Sequence, residues 1–475
     1  MSARVPPARV SSARIVAYDV LRDVDERDAY ANLALPARIR EARLDGRDAA
    51  LATELAAGTL RGRGRYDRII ELASGRELAR IDARTLRVLR LGAHQLLSMR
   101  TAAHAAVNES VELQRMVANA AAAGFVNGVL RAIGRATNDE WDARIDASAA
   151  SADEALGAKA SHPAWIVRAL RTALQSEGRA DELPRLLAAD NAPPRVSLAL
   201  LPGSGVDAET AAVLGGDPER GREVLVEGVS PLGLELEGGD PAKAIELIDA
   251  PEGYARVQDQ GSQLAALALS RARAVRPGER WLDLCAGPGG KTAVLGAEAA
   301  LGGATVRANE VSEHRAELVR RSVVACQDAV EVVSHDGRDE SAFGGHEYDR
   351  ILVDAPCSGL GALRRRPEAR WRKQPGDLPE LTALQSALLD SAADHLAPGG
   401  LLAYVTCSPH RAETRVVLDG LLKRRPELRE LDAKRVLNGV AREPLDLAGE
   451  ALSAQLWPHR HGTDAMFVAL VERTG

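Results

Sequence analysis

From Ser12 to about Ala136 the apolar residues recur at the spacing of a helix face, as in Ile15, Tyr18, Val20 and Leu21 and again in Leu86, Leu89, Leu96 and Leu97, with no alternating stretch. That spacing predicts an all-α domain over residues 1–140. Residues 137–260 are mixed, with Pro193-Pro194, a Gly- and Pro-rich stretch over 202–240 and a short β-like piece, Val196-Ser197-Leu198-Ala199-Leu200. We expect a small α+β connector domain over 141–260. Past Gln260, short apolar segments alternate with amphipathic ones, the pattern of a mainly parallel, doubly wound α/β sheet over 261–475. Strands are predicted at 280–285, 304–309, 331–334, 349–354, 400–406 and 466–471, with helices near 291–300, 312–326 and 380–396. Ligands of such sheets lie at the carboxyl ends of the strands.

Composition narrows the class. With 475 residues, 27% charged and 45% apolar, the chain can bury several cores and is neither disordered nor collagen-like. Cys285, Cys326, Cys357 and Cys407 are far apart with no C-x-x-C pair, which argues against a disulfide framework and a thiolate zinc site. A reduced, cytoplasmic compartment and no metal are expected. No apolar run reaches the ~18 residues of a membrane span, and Met1–Arg14 has prolines where a signal peptide needs its apolar stretch, so no membrane partner is expected.

The formal charge of −6 does not advertise a polyanion partner, but residues 1–140 hold 22 Arg, no Lys and 17 acidic residues. The basic excess sits at the front. Arg61-Gly62-Arg63-Gly64-Arg65, with Arg68 after it, reads as a flexible basic loop, either solvated or touching phosphate.

Trp281-Leu-Asp-Leu-Cys285 runs into Ala286-Gly287-Pro288-Gly289-Gly290-Lys291-Thr292, a glycine-rich turn between strand and helix. A P-loop would need glycine at 285, which is Cys. A dinucleotide fingerprint would need glycine at 292, which is Thr. S-adenosylmethionine has no pyrophosphate and needs only close backbone approach, which this turn permits. Acids follow in order at successive strand ends: Glu310, placed to bind ribose hydroxyls, and Asp336, within reach of an adenine amino group. Asp354-Ala-Pro-Cys357 and Thr406-Cys407 end two further strands. If those strands neighbour each other and the first one, two thiols and a carboxylate converge beside the glycine loop. Cys326 steps along one helix face with Ala316, Val319 and Val323 and reads as core; Cys285 reads as packing whose backbone belongs to the loop. A Cys/His hydrolase using His410 lacks an orienting third group.

Leu282-Asp-Leu-Cys-Ala-Gly-Pro-Gly-Gly-Lys-Thr292, Asp354-Ala-Pro-Cys-Ser-Gly359 and Thr406-Cys-Ser408 resemble the RNA cytosine-5 methyltransferases with two active-site cysteines, the Sun/Fmu/Nol1 group. Phe125-Val-Asn-Gly-Val-Leu-Arg131 and the helical N-terminus resemble the NusB-like RNA-binding domain of the bacterial 16S rRNA methyltransferase B subgroup. Val257-Gln-Asp259 with Gln263, Arg366-Pro-Glu-Ala-Arg-Trp371 and Gly462-Thr-Asp-Ala-Met-Phe467 extend the resemblance along nearly the whole chain. The chain departs from the pattern in Glu310, where Asp is common, and in Thr414, where Asn is usual after Glu413.

The resemblance implies a Rossmann-like S-adenosylmethionine-dependent domain. It implies that Cys285, Ala286, Gly287, Pro288, Gly289, Gly290, Lys291, Glu310, Asp336 and Asp354 line the cofactor site. Cys407 would be the nucleophile, Cys357 would assist release, and Asp354 would bind the base edge. Carbon-5 of cytosine attacks a sulfonium methyl only after a thiolate has added to carbon-6, which is why such an enzyme needs a cysteine here. The expected partner is RNA, 16S rRNA before transfer RNA, bound by a monomer. The alternatives are a transfer-RNA cytosine-5 methyltransferase, a non-catalytic RNA-binding or assembly factor and, as an outside choice, a nicotinamide oxidoreductase.

Overall fold

The structure, a computed structural model, describes residues 10–215, 225–339, 343 and 345–474. Residues 1–9 of the N-terminal stretch and 216–224 of the Gly- and Pro-rich stretch lie outside the described residues. No helix among the described residues is long and apolar enough to cross a membrane. The chain divides into two units. One comprises Met1–Arg168, Asp190–Ala192 and Leu363–Arg372; the other comprises Ala169–Ala189, Pro193–Ala362 and Lys373–Gly475.

The first unit is helical, as the periodicity predicts. Its opening helix, Ser12–Glu26, buries Val16, Ala17, Val20, Leu21 and Val24, one stripe at three- and four-residue steps. Short polar side chains cap some of its helices: Asp45 accepts from Asp48 N at 2.8 Å, Asp82 from Thr85 N at 3.0 Å, and Thr137 with Glu140 forms a capping box.

The Arg61–Arg65 run corrects the sequence expectation. It is not a flexible loop: one helix ends at Arg61 and the next spans Arg63–Ser74. Arg63 donates to Asp25 at 3.1 Å, Arg65 to Asp142, and Arg68 to Glu71 at 3.3 Å and to Ser148 O at 2.8 Å. These guanidinium groups are held by the protein's own acceptors. The glycines serve close packing, since a Cβ on Gly62 would lie 2.4 Å from the Tyr66 ring and one on Gly64 would lie 2.5 Å from the Trp371 ring. Trp371 belongs to the segment Leu363–Arg372, which folds with this unit. Arg370, fully buried, donates to Ser161 O at 3.0 Å, Asp190 O at 2.7 Å and Asn191 Oδ1 at 2.6 Å.

The second unit holds two sheets. Strands β1 (Val196–Leu200), β2 (Leu225–Glu227), β3 (Gly233–Leu236) and β4 (Ala255–Val257) form a small antiparallel sheet in the order β2-β3-β1-β4. The larger sheet has β5 (Arg280–Asp283), β6 (Thr305–Asn309), β7 (Val330–Val333), β8 (Tyr348–Asp354), β9 (Leu396–Thr406), β10 (Leu428–Leu431), β11 (Ala454–Gln455) and β12 (Phe467–Arg473). Its order is β10-β12-β9-β8-β5-β6-β7, with β11 on β12; β5 to β9 run parallel and β12 antiparallel to β9. This is the doubly wound, Rossmann-like arrangement.

Alternation along the central strands feeds two cores. Trp281, Leu352, Ala403, Val405, Val468 and Leu470 pack with the helices Gln260–Ser270 and Gly290–Gly302 on one face. Leu282, Ile351, Val353, Leu402, Tyr404 and Phe467 pack with Leu378–Asp394 and Arg415–Arg424 on the other.

All six predicted strands form. The helix expected over 312–326 ends at Ser322 and gives way to a 3₁₀ turn in which Cys326 is buried, as expected of a core cysteine. β10 and β11 were not anticipated. β9 lies next to β8 and β8 next to β5, so the two cysteine-bearing strands are neighbours, while β9 is one step further from the first strand than expected.

Candidate active site

The glycine loop leaves the carboxyl end of β5. Beneath it Thr292 Oγ1 donates to Asp283 Oδ2 at 2.8 Å, tying the start of the following helix to the strand. Gly289 has φ +90° and lies so close to Ser322 that a Cβ would come within 2.5 Å of that residue's own Cβ. Glycine is therefore required there by both conformation and space. Glu310 follows β6 and is buried; its carboxylate accepts from Gly287 N and Ser312 N, both at 3.1 Å, with Arg315 at 3.4 Å. It thus fixes the loop's shape at the position predicted for ribose recognition. Asp336, after β7, is half-buried and forms a fork with Arg338 at 2.9 and 2.5 Å, which holds its carboxyl down at about 2. Gln258 lies beside Gly290, and its buried Oε1 has no partner among the described residues.

At the end of β8, Asp354 Oδ2 accepts from Lys291 Nζ at 2.7 Å. Burial opposes the Lys291 charge, but Asp354 overcomes it and raises the ammonium above its ordinary range. Three residues on, Cys357 Sγ stands 3.4 Å from Cys407 Sγ, which lies just past β9. Burial and the neighbouring carboxylates push Cys285 up, so it stays a thiol.

The two facing thiols are driven apart. A hydrogen bond from Cys357 lowers Cys407, with Lys291 helping against burial and Asp354; the same bond and burial push Cys357 up. The environment thus favours ionisation of Cys407 and opposes that of Cys357.

The structure thus brings together Lys291 with Asp354, Cys357 with Cys407, and Gly287 with Glu310, whereas Asp336 binds its own neighbour. His410 Nδ1 accepts from Ala412 N at 3.1 Å, a local cap. Sequence reasoning missed the support beneath the cysteines. Glu413, fully buried, binds both Ser358 and Ser408, and Gln385 binds Pro356 O at 2.9 Å. The signal available was a Cys-Ser pair at each of two strand ends.

Residues 271–472 match the family described as 16S rRNA methyltransferase RsmB/F, and residues 11–135 match the NusB family. A candidate methyltransferase of Mycobacterium tuberculosis (strain H37Rv) is 44% identical over 97% of this chain and 96% of its own length. The ribosomal RNA small subunit methyltransferase B of Pseudomonas putida is 33% identical over 88% of this chain and 91% of its own. Among solved structures, PH0851 superimposes with a TM-score of 0.73 at 22% identity, covering 100% of both chains.

Proposed function

The chain belongs to the 16S rRNA methyltransferase RsmB/F family, and from that premise we propose that it methylates carbon-5 of a cytosine in RNA, 16S rRNA foremost, through a covalent adduct on Cys407. The observation that carries this reading is the pair of sulfurs 3.4 Å apart at neighbouring strand ends, with their proton affinities split. Packing alone has no need of two opposed thiols beside a half-buried Lys–Asp pair.

S-adenosylmethionine, when bound, supplies the electrophilic methyl group. The residues fit it: a glycine turn with bare backbone, a carboxylate at the end of β6 and the unpartnered Gln258 oxygen beside Gly290. Cys285, Ala286, Gly287, Pro288, Gly289, Gly290 and Lys291, with Glu310, Asp336 and Asp354, would hold it.

The Cys407 thiolate adds to carbon-6 and gives carbon-5 enamine character. Asp354, held by Lys291, binds the base edge. Cys357 takes part in the step that removes the carbon-5 proton and frees Cys407. A stacked base cannot present carbon-6 to a thiol, so the cytosine must be unpaired or flipped out. Residues 1–140 and 141–260 are assigned to RNA binding and 261–475 to catalysis, in a monomer working in the cytoplasm. With only 14 aromatic residues in the chain, arginine contacts to phosphate outweigh base stacking.

The test is a pair of variants given labelled RNA and S-adenosylmethionine. Cys407→Ala should lose methyl transfer and keep cofactor binding. Cys357→Ala should let addition proceed but stall release, leaving a protein–RNA adduct that survives a denaturing gel. Turnover in Cys407→Ala would remove the covalent role from that residue, and an adduct in Cys407→Ala with none in Cys357→Ala would reverse the assignment. Bisulfite sequencing of ribosomal and transfer RNA from cells lacking the gene identifies the substrate.

A further inference from the structure

We propose that Glu413 is a positioning residue whose single buried carboxylate clamps the two turns carrying Cys357 and Cys407 and so sets the relation between the two sulfurs. The proposal rests on the assignment of those cysteines above. Glu413 Oε1 accepts from Ser358 N at 2.6 Å and from Gln385 Nε2 at 3.3 Å. Its Oε2 accepts from Ser358 Oγ at 2.5 Å and from Ser408 Oγ at 2.7 Å, and the two hydroxyls lie 3.0 Å apart. Ser358 directly follows Cys357, and Ser408 directly follows Cys407. One carboxylate therefore grips the residue after each cysteine, 55 residues away along the chain in one case and five in the other.

The clamp is itself anchored. Tyr404 Oη, from β9, donates to the Glu413 carbonyl at 2.5 Å, and Gln385, from the helix Leu378–Asp394, also donates to Pro356 O. Both the backbone and the side chain of Glu413 are thus tied to elements of the sheet unit.

The four donors at this carboxylate, one amide N–H, two hydroxyls and one side-chain amide, are all neutral. A buried anion held only by neutral donors is costly unless each bond is short and well directed. A neutral isostere would place a second donor amide against hydroxyls that already donate, and an apolar residue would strand all four donors. The charge also adds to what opposes ionisation of Cys357, behind the hydrogen bond to Cys407 and burial. The same group thereby holds both cysteine-bearing turns and adds to the difference between the two thiols.

The experiment uses full-length Glu413→Gln and, as a milder cut, Ser408→Ala, which leaves the carboxylate three of its four donors. Three quantities are read: single-turnover methyl transfer to RNA, affinity for S-adenosylmethionine, and the distribution of iodoacetamide between Cys357 and Cys407 by peptide mass spectrometry. A misplacement of the order of an ångström costs about 100-fold in rate. The expected result for Glu413→Gln is a loss of that size in kcat with cofactor affinity unchanged, and labelling that spreads from Cys407 to both cysteines. Ser408→Ala should move in the same direction by less.

Unchanged kcat with labelling confined to Cys407 in both variants would overturn the proposal. So would a kcat loss matched by equal losses of cofactor affinity and melting temperature, which would assign Glu413 to the fold alone. If Glu413→Gln does not fold, Ser408→Ala decides by the same readouts. Labelling needs no RNA, so it tests the clamp even if the parent protein transfers no methyl group, the result that would sink the cytosine reading instead.

Discussion

Asp283 is the most sharply testable charge in the sheet unit. It ends β5 beneath the glycine loop, is fully buried, and accepts from Thr292 Oγ1 at 2.8 Å. Burial is the main reason its carboxyl is pushed up from 3.8 to about 7; Thr292 and Lys291 pull the other way, and Asp354 adds to the rise. Between those two values the folded chain keeps the proton and the unfolded chain has lost it. Stability therefore falls as pH rises, by about 1.4 kcal/mol per unit for one proton. Across roughly three units the loss is on the order of 4 kcal/mol, present in full above pH 7 and absent below pH 4.

Asp283→Asn keeps the acceptor for Thr292 and cannot ionise, so it should lose that slope. Calorimetry of the variant and the parent at pH 5 and pH 8 should show the variant gaining about 3 kcal/mol on the parent between the two, since the slope acts only over the roughly two units from pH 5 to about 7. For a unit of this size that is a relative shift of about 6 °C in melting temperature. Parallel pH profiles for the two proteins would refute the argument, because they would mean that Asp283 ionises alike in the folded and unfolded chains.

Two other perturbations follow from the geometry. Gly361→Ala would put a Cβ 2.0 Å from Ala465 O and 2.8 Å from Cys407 O, both backbone atoms that cannot swing away; a destabilisation of about 2–3 kcal/mol with a loss of turnover is expected, while Gly376→Ala, with nothing within 4 Å, should be near neutral in the same calorimetry. Arg131 and Arg135 are exposed, so Arg131→Gln with Arg135→Gln should flatten the slope of log affinity for RNA against log salt by up to about two, leaving cofactor affinity unchanged; an unaltered slope in filter binding would remove these two from the RNA contact.

The parts legible in the sequence were those governed by local rules. Helix periodicity placed the first unit, because a stripe such as Val16, Val20 and Val24 can be buried only on one face. Short continuous apolar runs set between amphipathic segments placed the six main strands, because a strand covered by helices on both faces is apolar on both. β10 escaped because Leu428-Arg429-Glu430-Leu431 is four residues with polar centres, and its strand state comes from pairing with β12 rather than from its own pattern. The Arg61–Arg65 run was misread for a related reason. Glycine beside arginine looks flexible until the partners are known, and Asp25, Asp142 and Trp371, from three other segments, with Tyr66 from the same helix, supply them.

The site divides along the same line. Loop glycines, strand-end acids and both cysteines announced themselves through residue type and position. The network beneath them did not, because a Glu in a charged stretch, a Gln in a helix and two Ser in turns are each common at surfaces. Their roles come from topology: β8 and β9 are parallel neighbours, so the residue after Cys357 and the residue after Cys407 emerge side by side at the same edge. Two hydroxyls brought together in that way, away from water, need an acceptor. The chain's first turn after β9 delivers Glu413 to them, so the connection that places the nucleophile also delivers the group that holds it.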